Sequence, residues 1–260
     1  MRVSDLVDRL SERLPFDWAE AWDRPGLSVG NPSEEVRGVA CALDVTRETI
    51  AAACEQGCNV LLTHHPVFLD PPATVTPDPI RSGLAGACVW DAARLGVSLV
   101  AFHTNLDKSD DALDLAAGLL GLRRMGRLQE PDGYGAVLDA GTLTVGDLAD
   151  RCAGTFAGTP IVWGSRDAIP GLVSFCSGSL GSLGELAPAR GVGCVVSGEA
   201  GYHRLEDLLS RGVGAILLGH DASELPFAGL LARIAREEAP DIRIVTLDEQ
   251  LRWHAWAAGE

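Results

Sequence analysis

The sequence predicts an α/β protein of two pseudo-symmetric lobes, and three features predict it. Short runs rich in Val, Ile and Leu alternate with segments of helical periodicity, as in sheets covered by helices. A passage of the first half recurs in the second with the same internal spacing. Between them, MGRLQEPDGYG gathers turn residues near Gly126, where a boundary would fall. The chain has 260 residues, enough for one large or two small lobes, and the expected domains are 1–126 and 127–260.

The elements follow in order. A first helix is expected at 4–14, with Ser4 as N-cap and Leu6, Leu10 and Leu14 as its apolar stripe. Strands are expected at 36–43, 59–63 and 97–102, and helices at 46–55, 80–94 and 110–120. In the second half, helices at 145–153, 202–211 and 225–238 accompany strands at 171–176, 193–197, 215–218 and 242–247.

The repeat is the most informative of these features. In CALDVTRETIAAACEQGCNVLLTHH, Asp44 is followed after 13 residues by Gly57 and after 8 more by His65. In VVSGEAGYHRLEDLLSRGVGAILLGH, Glu199, Gly212 and His220 stand at the same intervals. Both passages read strand, acid, helix, Gly, buried strand, His, and each Gly suits a left-handed helix C-cap. A further helical pattern and strand follow in both. Duplication explains this better than coincidence.

Composition narrows the function. Hydrophobic residues make up 47% and charged residues 22%, as in an ordinary globule. The net charge of −15, with Lys108 the only lysine, argues against a nucleic-acid partner, whose phosphates need clustered cations. Anionic small molecules stay compatible, because a metal cluster can present positive charge inside an acidic protein. The seven cysteines form no Cys-x-x-Cys pair, and Cys41, Cys88, Cys176 and Cys194 sit in apolar runs, the usage of a reducing compartment. No signal-peptide core and no apolar run of about 18 residues is present. The expectation is a soluble, cytoplasmic protein with no membrane partner.

Four of the six histidines close strand patterns: His64 and His65 after VLLT, His103 after SLVAF, His220 after AILLG. Parallel α/β sheets carry their functional groups at that end. A carboxylate lies four residues after two of them, Asp107 after His103 and Glu224 after His220. One strand-end histidine is usually an ordinary hydrogen-bonded residue; four, two of them with an acid four residues on, are poorly explained as accidents. Pro66 ends the ladder so that His64 and His65 can serve one site, and spacing of four in a helix puts His220 and Glu224 on one face. Imidazoles and carboxylates without thiolates suit zinc, iron, manganese or nickel. The donors exceed what one tetrahedral ion takes, so two divalent ions are expected, and hydrolysis is the natural reaction of such a pair. His254 reads as structural. His203, four residues after Glu199, reads equally as a helix-terminal residue or a substrate contact.

At these residues the chain resembles a known family. VLLTHHPVF, AFHTNLD, SGEAGYH, LLGHDASE and the earlier AWDRPGLSVG, with Trp22, Asp23, Gly26 and Gly30, resemble the signature blocks of the Nif-three-like dinuclear-metal proteins, also known as GTP cyclohydrolase I type-two homologues. The resemblance implies His64, His65, Asp107, His220 and Glu224 as metal ligands, with His103 a further ligand or close neighbour. It also implies metals in a cleft between two similar lobes and a toroidal homohexamer. The expected activity is that of a dinuclear-metal hydrolase on a small nucleotide-like or phosphorylated substrate, GTP cyclohydrolase-type by resemblance, with Glu224, His103 or Glu199 moving protons. The alternative is a non-catalytic metal-binding scaffold or metal-handling protein. In VSFCSGSLGSLGEL, the turn from Ser177 to Leu183 could cradle a phosphate, although a plain strand-to-helix turn is the favoured reading.

Overall fold

The computed structural model describes residues 1–253, so His254 lies outside the described residues. The chain forms two compact units: Met1–Ser109 with Leu225–Glu249, and Asp110–Glu224 with 250–253. In chain order the first unit supplies α1 (Val3–Arg13), β1 (Gly26–Val29), β2 (Val39–Ala42), α2 (Arg47–Glu55), β3 (Val60–Thr63), α3 (Pro79–Leu95), β4 (Ser98–Ala101) and α4 (Thr104–Asp107). The second supplies α5 (Asp110–Leu120), β5 (Arg123–Arg127), β6 (Ala136–Asp139), α6 (Val145–Thr155), β7 (Ile161–Trp163), β8 (Leu172–Ser179), β9 (Val192–Glu199), α7 (Tyr202–Ser210), β10 (Gly214–Leu217) and α8 (His220–Glu224). The chain then returns to the first unit for α9 (Pro226–Glu238) and β11 (Ile244–Thr246).

The sheet of the first unit has the order β1-β4-β3-β2-β11. Its β2, β3, β4 and β11 are parallel, and β1 joins antiparallel at the edge. VACA, VLLT and SLVA are buried throughout, as parallel strands packed on both faces require. One layer of core joins Ala40, Ala42, Leu61 and Leu99 to Ile50 of α2. Thr46 caps α2 by accepting from the Thr49 amide, and Thr49 returns a bond to Thr46, satisfying donors the first turn leaves open. On this unit α1 and α9 are tied by Arg13 to Glu237 at 2.5 Å and by Arg9 to the Glu238 carbonyl at 3.1 Å.

The sheet of the second unit has the order β5-β6-β8-β9-β10-β7. Its centre, β8-β9-β10, is parallel, and β6, β5 and β7 add antiparallel pairings outside it. Two core layers cover it, one around Leu138, Leu148 and Ile216, the other around Val195, Leu205 and Ala215. Gly57 after α2 and Gly212 after α7 both adopt the left-handed conformation, at φ +70° and +77°. The expected C-caps are therefore present in both passages.

Several local expectations need correction. The N-cap of α1 is Arg2, and Ser4 lies within the helix. The short or exposed strands β1, β5, β6 and β7 were not anticipated; RRMGR of β5 has no apolar alternation to announce it. His220 and Glu224 lie on α8, separate from α9, where Pro226 occupies a first-turn position that needs no amide donor. Gly126 lies inside β5, opposite Val137 of β6, so the two units meet in sequence at 109/110, 224/225 and 249/250 rather than at one cut near residue 126.

Candidate metal centre

The end of β3 places two imidazoles side by side. Thr63 Oγ1 donates to the His65 carbonyl at 2.8 Å, and the His65 amide donates to Leu43 O at 3.0 Å, turning the chain just beyond the ladder. His64 is fully buried beneath Phe227 of α9, with ring centroids 4.6 Å apart. The end of β4 brings His103 to the same place. The His64, His65 and His103 rings lie 4.9 to 5.5 Å apart, and one nitrogen of each lies within 4.8 Å of the others.

Each of these rings is held through Nδ1. His64 Nδ1 is 3.2 Å from Phe102 O, His65 Nδ1 is 2.8 Å from Asp44 Oδ1, and His103 Nδ1 is 2.9 Å from Asp23 Oδ1. An N–H donated from Nδ1 leaves the Nε2 lone pair as the ligating position, the arrangement usual for metal-binding histidine. Asp107, at the end of α4, has Oδ2 3.8 Å from His64 Nε2, on that ligating side. Asp23 also accepts from the Thr104 amide at 3.0 Å and the Thr104 hydroxyl at 2.5 Å. Burial alone would raise the Asp23 carboxyl; the hydrogen bonds from His103 and Thr104 and the attraction of His103 outweigh it and hold the group well below the usual carboxylate range.

The second unit builds its donors on α8. His220 Nδ1 lies 3.0 Å from Glu199 Oε1, and His220 Nε2 lies 3.2 Å from Glu224 Oε2, one helical turn on. Ser223, buried between them, donates to His220 O at 2.7 Å and accepts from the Gly178 amide at 2.9 Å. Two glycines let α8 approach the sheet this closely. A Cβ on Gly178 would stand 2.3 Å from Glu224 Oε1, and one on Gly198 would stand 2.7 Å from Ser223 Oγ and 2.8 Å from His220 Cα.

Within the first unit the fold thus gathers His64, His65, His103 and Asp107; within the second it gathers His220, Glu224 and Glu199. Glu199, expected as a proton carrier, is bonded to the back of His220. The turn beginning at Ser177 is committed inside the protein, the Gly178 amide to Ser223 and the Leu180 amide to Glu199 O, which supports the plain-turn reading. His203 is exposed in the first turn of α7, edge-on to Tyr202 at 5.4 Å. Sequence reasoning gave no role to Asp44, Asp23 or Ser223. Asp44 was detectable: it stands 21 residues before His65, as Glu199 stands 21 before His220. Asp23 acts on a residue 80 positions away, and no spacing rule reaches that far.

The family model for Duf34/NIF3 (NGG1p interacting factor 3) matches residues 1–251. The chain belongs to this family. Among its NIF3 relatives is the GTP cyclohydrolase 1 type 2 homolog of Streptomyces coelicolor, 30% identical over 260 residues, covering 94% of this chain and 90% of that protein. The protein of the same name from Clostridium acetobutylicum is 27% identical, covering 90% and 89%. The fold matches that of the Staphylococcus aureus hypothetical protein SA1388, with a TM-score of 0.89 and 20% identity over 99% of both chains. It also matches reduced HcgD from Methanocaldococcus jannaschii, with a TM-score of 0.81 and 23% identity over 96% and 98%. Among the described residues no helix is long and apolar enough to cross a membrane.

Proposed function

We propose that this NIF3-family chain is a metal-dependent hydrolase of small nucleotide-like or phosphorylated molecules, using two divalent ions. His64, His65, Asp107, His220 and Glu224 would hold the ions. The observation that carries the reading is shared by both units: a strand-end imidazole tied through Nδ1 to a carboxylate, Asp44 behind His65 and Glu199 behind His220. Such a partner fixes the tautomer and raises the basicity of the ligating nitrogen. The donors are imidazole and carboxylate only, a set that zinc, iron, manganese and nickel accept. When bound, a pair of such ions polarises a substrate oxygen and acidifies water.

The remaining work falls to the chain's own groups. His103, the clustered imidazole outside the five-ligand set, would carry protons at Nε2, with Asp23 holding its ring at Nδ1. Asp23 and Glu199 are positioning residues. The nucleotide class is supported by the names of the relatives, both GTP cyclohydrolase 1 type 2 homologs.

Elemental analysis of gently purified protein should find about two equivalents of divalent metal per chain. Replacing His65 or His220 by Ala should lower that content sharply. Metal-dependent turnover across nucleotides and phosphoesters should be lost in Asp107→Ala, and turnover unchanged by that substitution would refute the mechanism. Two tightly held ions with no turnover on any substrate would favour the metal-binding scaffold instead.

A further inference from the structure

One group beside the imidazole cluster has no part in holding it. Trp22 is 54% exposed, and its ring stands edge-on to His103 with centroids 5.9 Å apart. Single exposed aromatics are common on protein surfaces; the position of this one, against a proposed proton carrier, is what matters. Its backbone is firmly set. The Asp23 amide donates to Glu20 O at 2.9 Å, closing a turn around Trp22. The Glu20 amide donates to Thr104 Oγ1 at 3.0 Å, and the Glu20 carboxylate lies 2.6 Å from Lys108 Nζ. Asp23 then locks the turn onto His103 and Thr104. Such anchoring presents the indole at low entropic cost to anything that stacks on it.

Burial alternates across this corner, with Trp22 exposed, Asp23 buried and Arg24 exposed. The Arg24 guanidinium touches the Asp23 carbonyl at 3.5 Å, and among the described residues no carboxylate pairs with it. In a chain of net charge −15, a cation left unpaired beside a site is available to an anion.

We infer that Trp22 and Arg24 form the substrate-recognition edge of the site, the indole stacking a planar heteroaromatic ring and the guanidinium pairing with an anionic group of the same molecule. Nucleoside phosphates are the class that carries both. This deepens the hydrolase reading and rests on it. Base-on-aromatic stacking tolerates different bases, so this edge selects for a ring rather than for one base.

The test uses metal-loaded full-length protein whose metal content is measured first, so that the metal reading stands or falls separately. Guanosine and adenosine monophosphates, guanosine and inorganic phosphate are titrated calorimetrically. In Trp22→Ala the three ring-bearing ligands should bind about ten-fold or more weakly, with phosphate affinity and metal content unchanged. Trp22→Phe should recover most of the loss. Arg24→Gln should weaken the monophosphates and phosphate but leave guanosine alone. The inference is overturned if Trp22→Ala binds the monophosphates as the parent does. It is equally overturned if no ring-bearing ligand binds the loaded parent protein, or if Trp22→Ala changes the oligomeric mass by light scattering without changing nucleotide affinity.

Discussion

The passage from β2 to His65 and the passage from β9 to His220 solve one problem twice and then diverge. In both, a parallel strand ends in an acid, a helix runs back to a left-handed glycine, and a second strand delivers an imidazole that the acid holds, at 2.8 Å in one and 3.0 Å in the other. Beyond the imidazole they differ. The first corner packs His65 among His64 and His103; the second winds directly into α8 and places Glu224 one turn on, with glycines beneath. The strand–helix–strand frame sets where an imidazole stands, while the few residues after it set which donors join it.

The largest effect is expected at the glycines beneath α8, which among the described residues have no counterpart under His65. Gly178→Ala places a methyl where the Glu224 carboxylate lies, at a φ of +57° that side chains disfavour. Glu224 must swing away, so metal retention by equilibrium dialysis should fall more than ten-fold. The left-handed backbone should cost a further ~1–2 kcal/mol of stability in urea. An alanine variant with parental metal content would show that the close approach of α8 is unimportant.

Next in size are the two carboxylates behind the imidazoles. Asp44→Asn and Glu199→Gln keep shape but remove charge, and each should weaken metal binding by about 10- to 100-fold. Asp44, the less exposed of the two, should show the larger loss. Equal and negligible effects in a competitive chelator titration would dismiss the shared-frame argument.

Smaller still are the C-cap glycines. A Cβ on Gly57 or Gly212 meets nothing within 4 Å, so each alanine variant should lose only the left-handed backbone preference, about 1 kcal/mol. Matched shifts in the urea midpoint are expected, with metal content untouched. The smallest effect concerns no ligand. Of seven free cysteines only Cys54 is exposed, and burial pushes the Cys41, Cys152 and Cys194 thiols up to about 12. Ellman's reagent should therefore titrate one thiol quickly in native protein and the rest only on unfolding.

What was legible in the sequence follows from where burial is absolute. VLLT is buried throughout and AILL nearly so, which announces both as strands, and the imidazoles just beyond each run mark the sheet end where donors collect. The 21-residue acid-to-imidazole interval was visible as a repeat because a strand–helix–strand unit has nearly fixed length. The edge strands were not legible: β5 and β7 have no fully buried residue and leave no apolar alternation to read. Nor was the helix break at Leu225, since SELPFAGLLARIA keeps its periodicity through a proline the first turn tolerates. Asp23 and Ser223 act by contact across the fold, which residue order does not encode.

The return of α9 and β11 to the first unit bears on how the protein is made. During vectorial synthesis residues 1–109 emerge with one edge of β2 unpaired and the Phe227 side of His64 uncovered. Those surfaces close only once residues 225–249 have left the ribosome. Nascent chains halted before Leu225 would carry an open parallel sheet edge, a surface that invites chaperones and proteases until that returning segment docks.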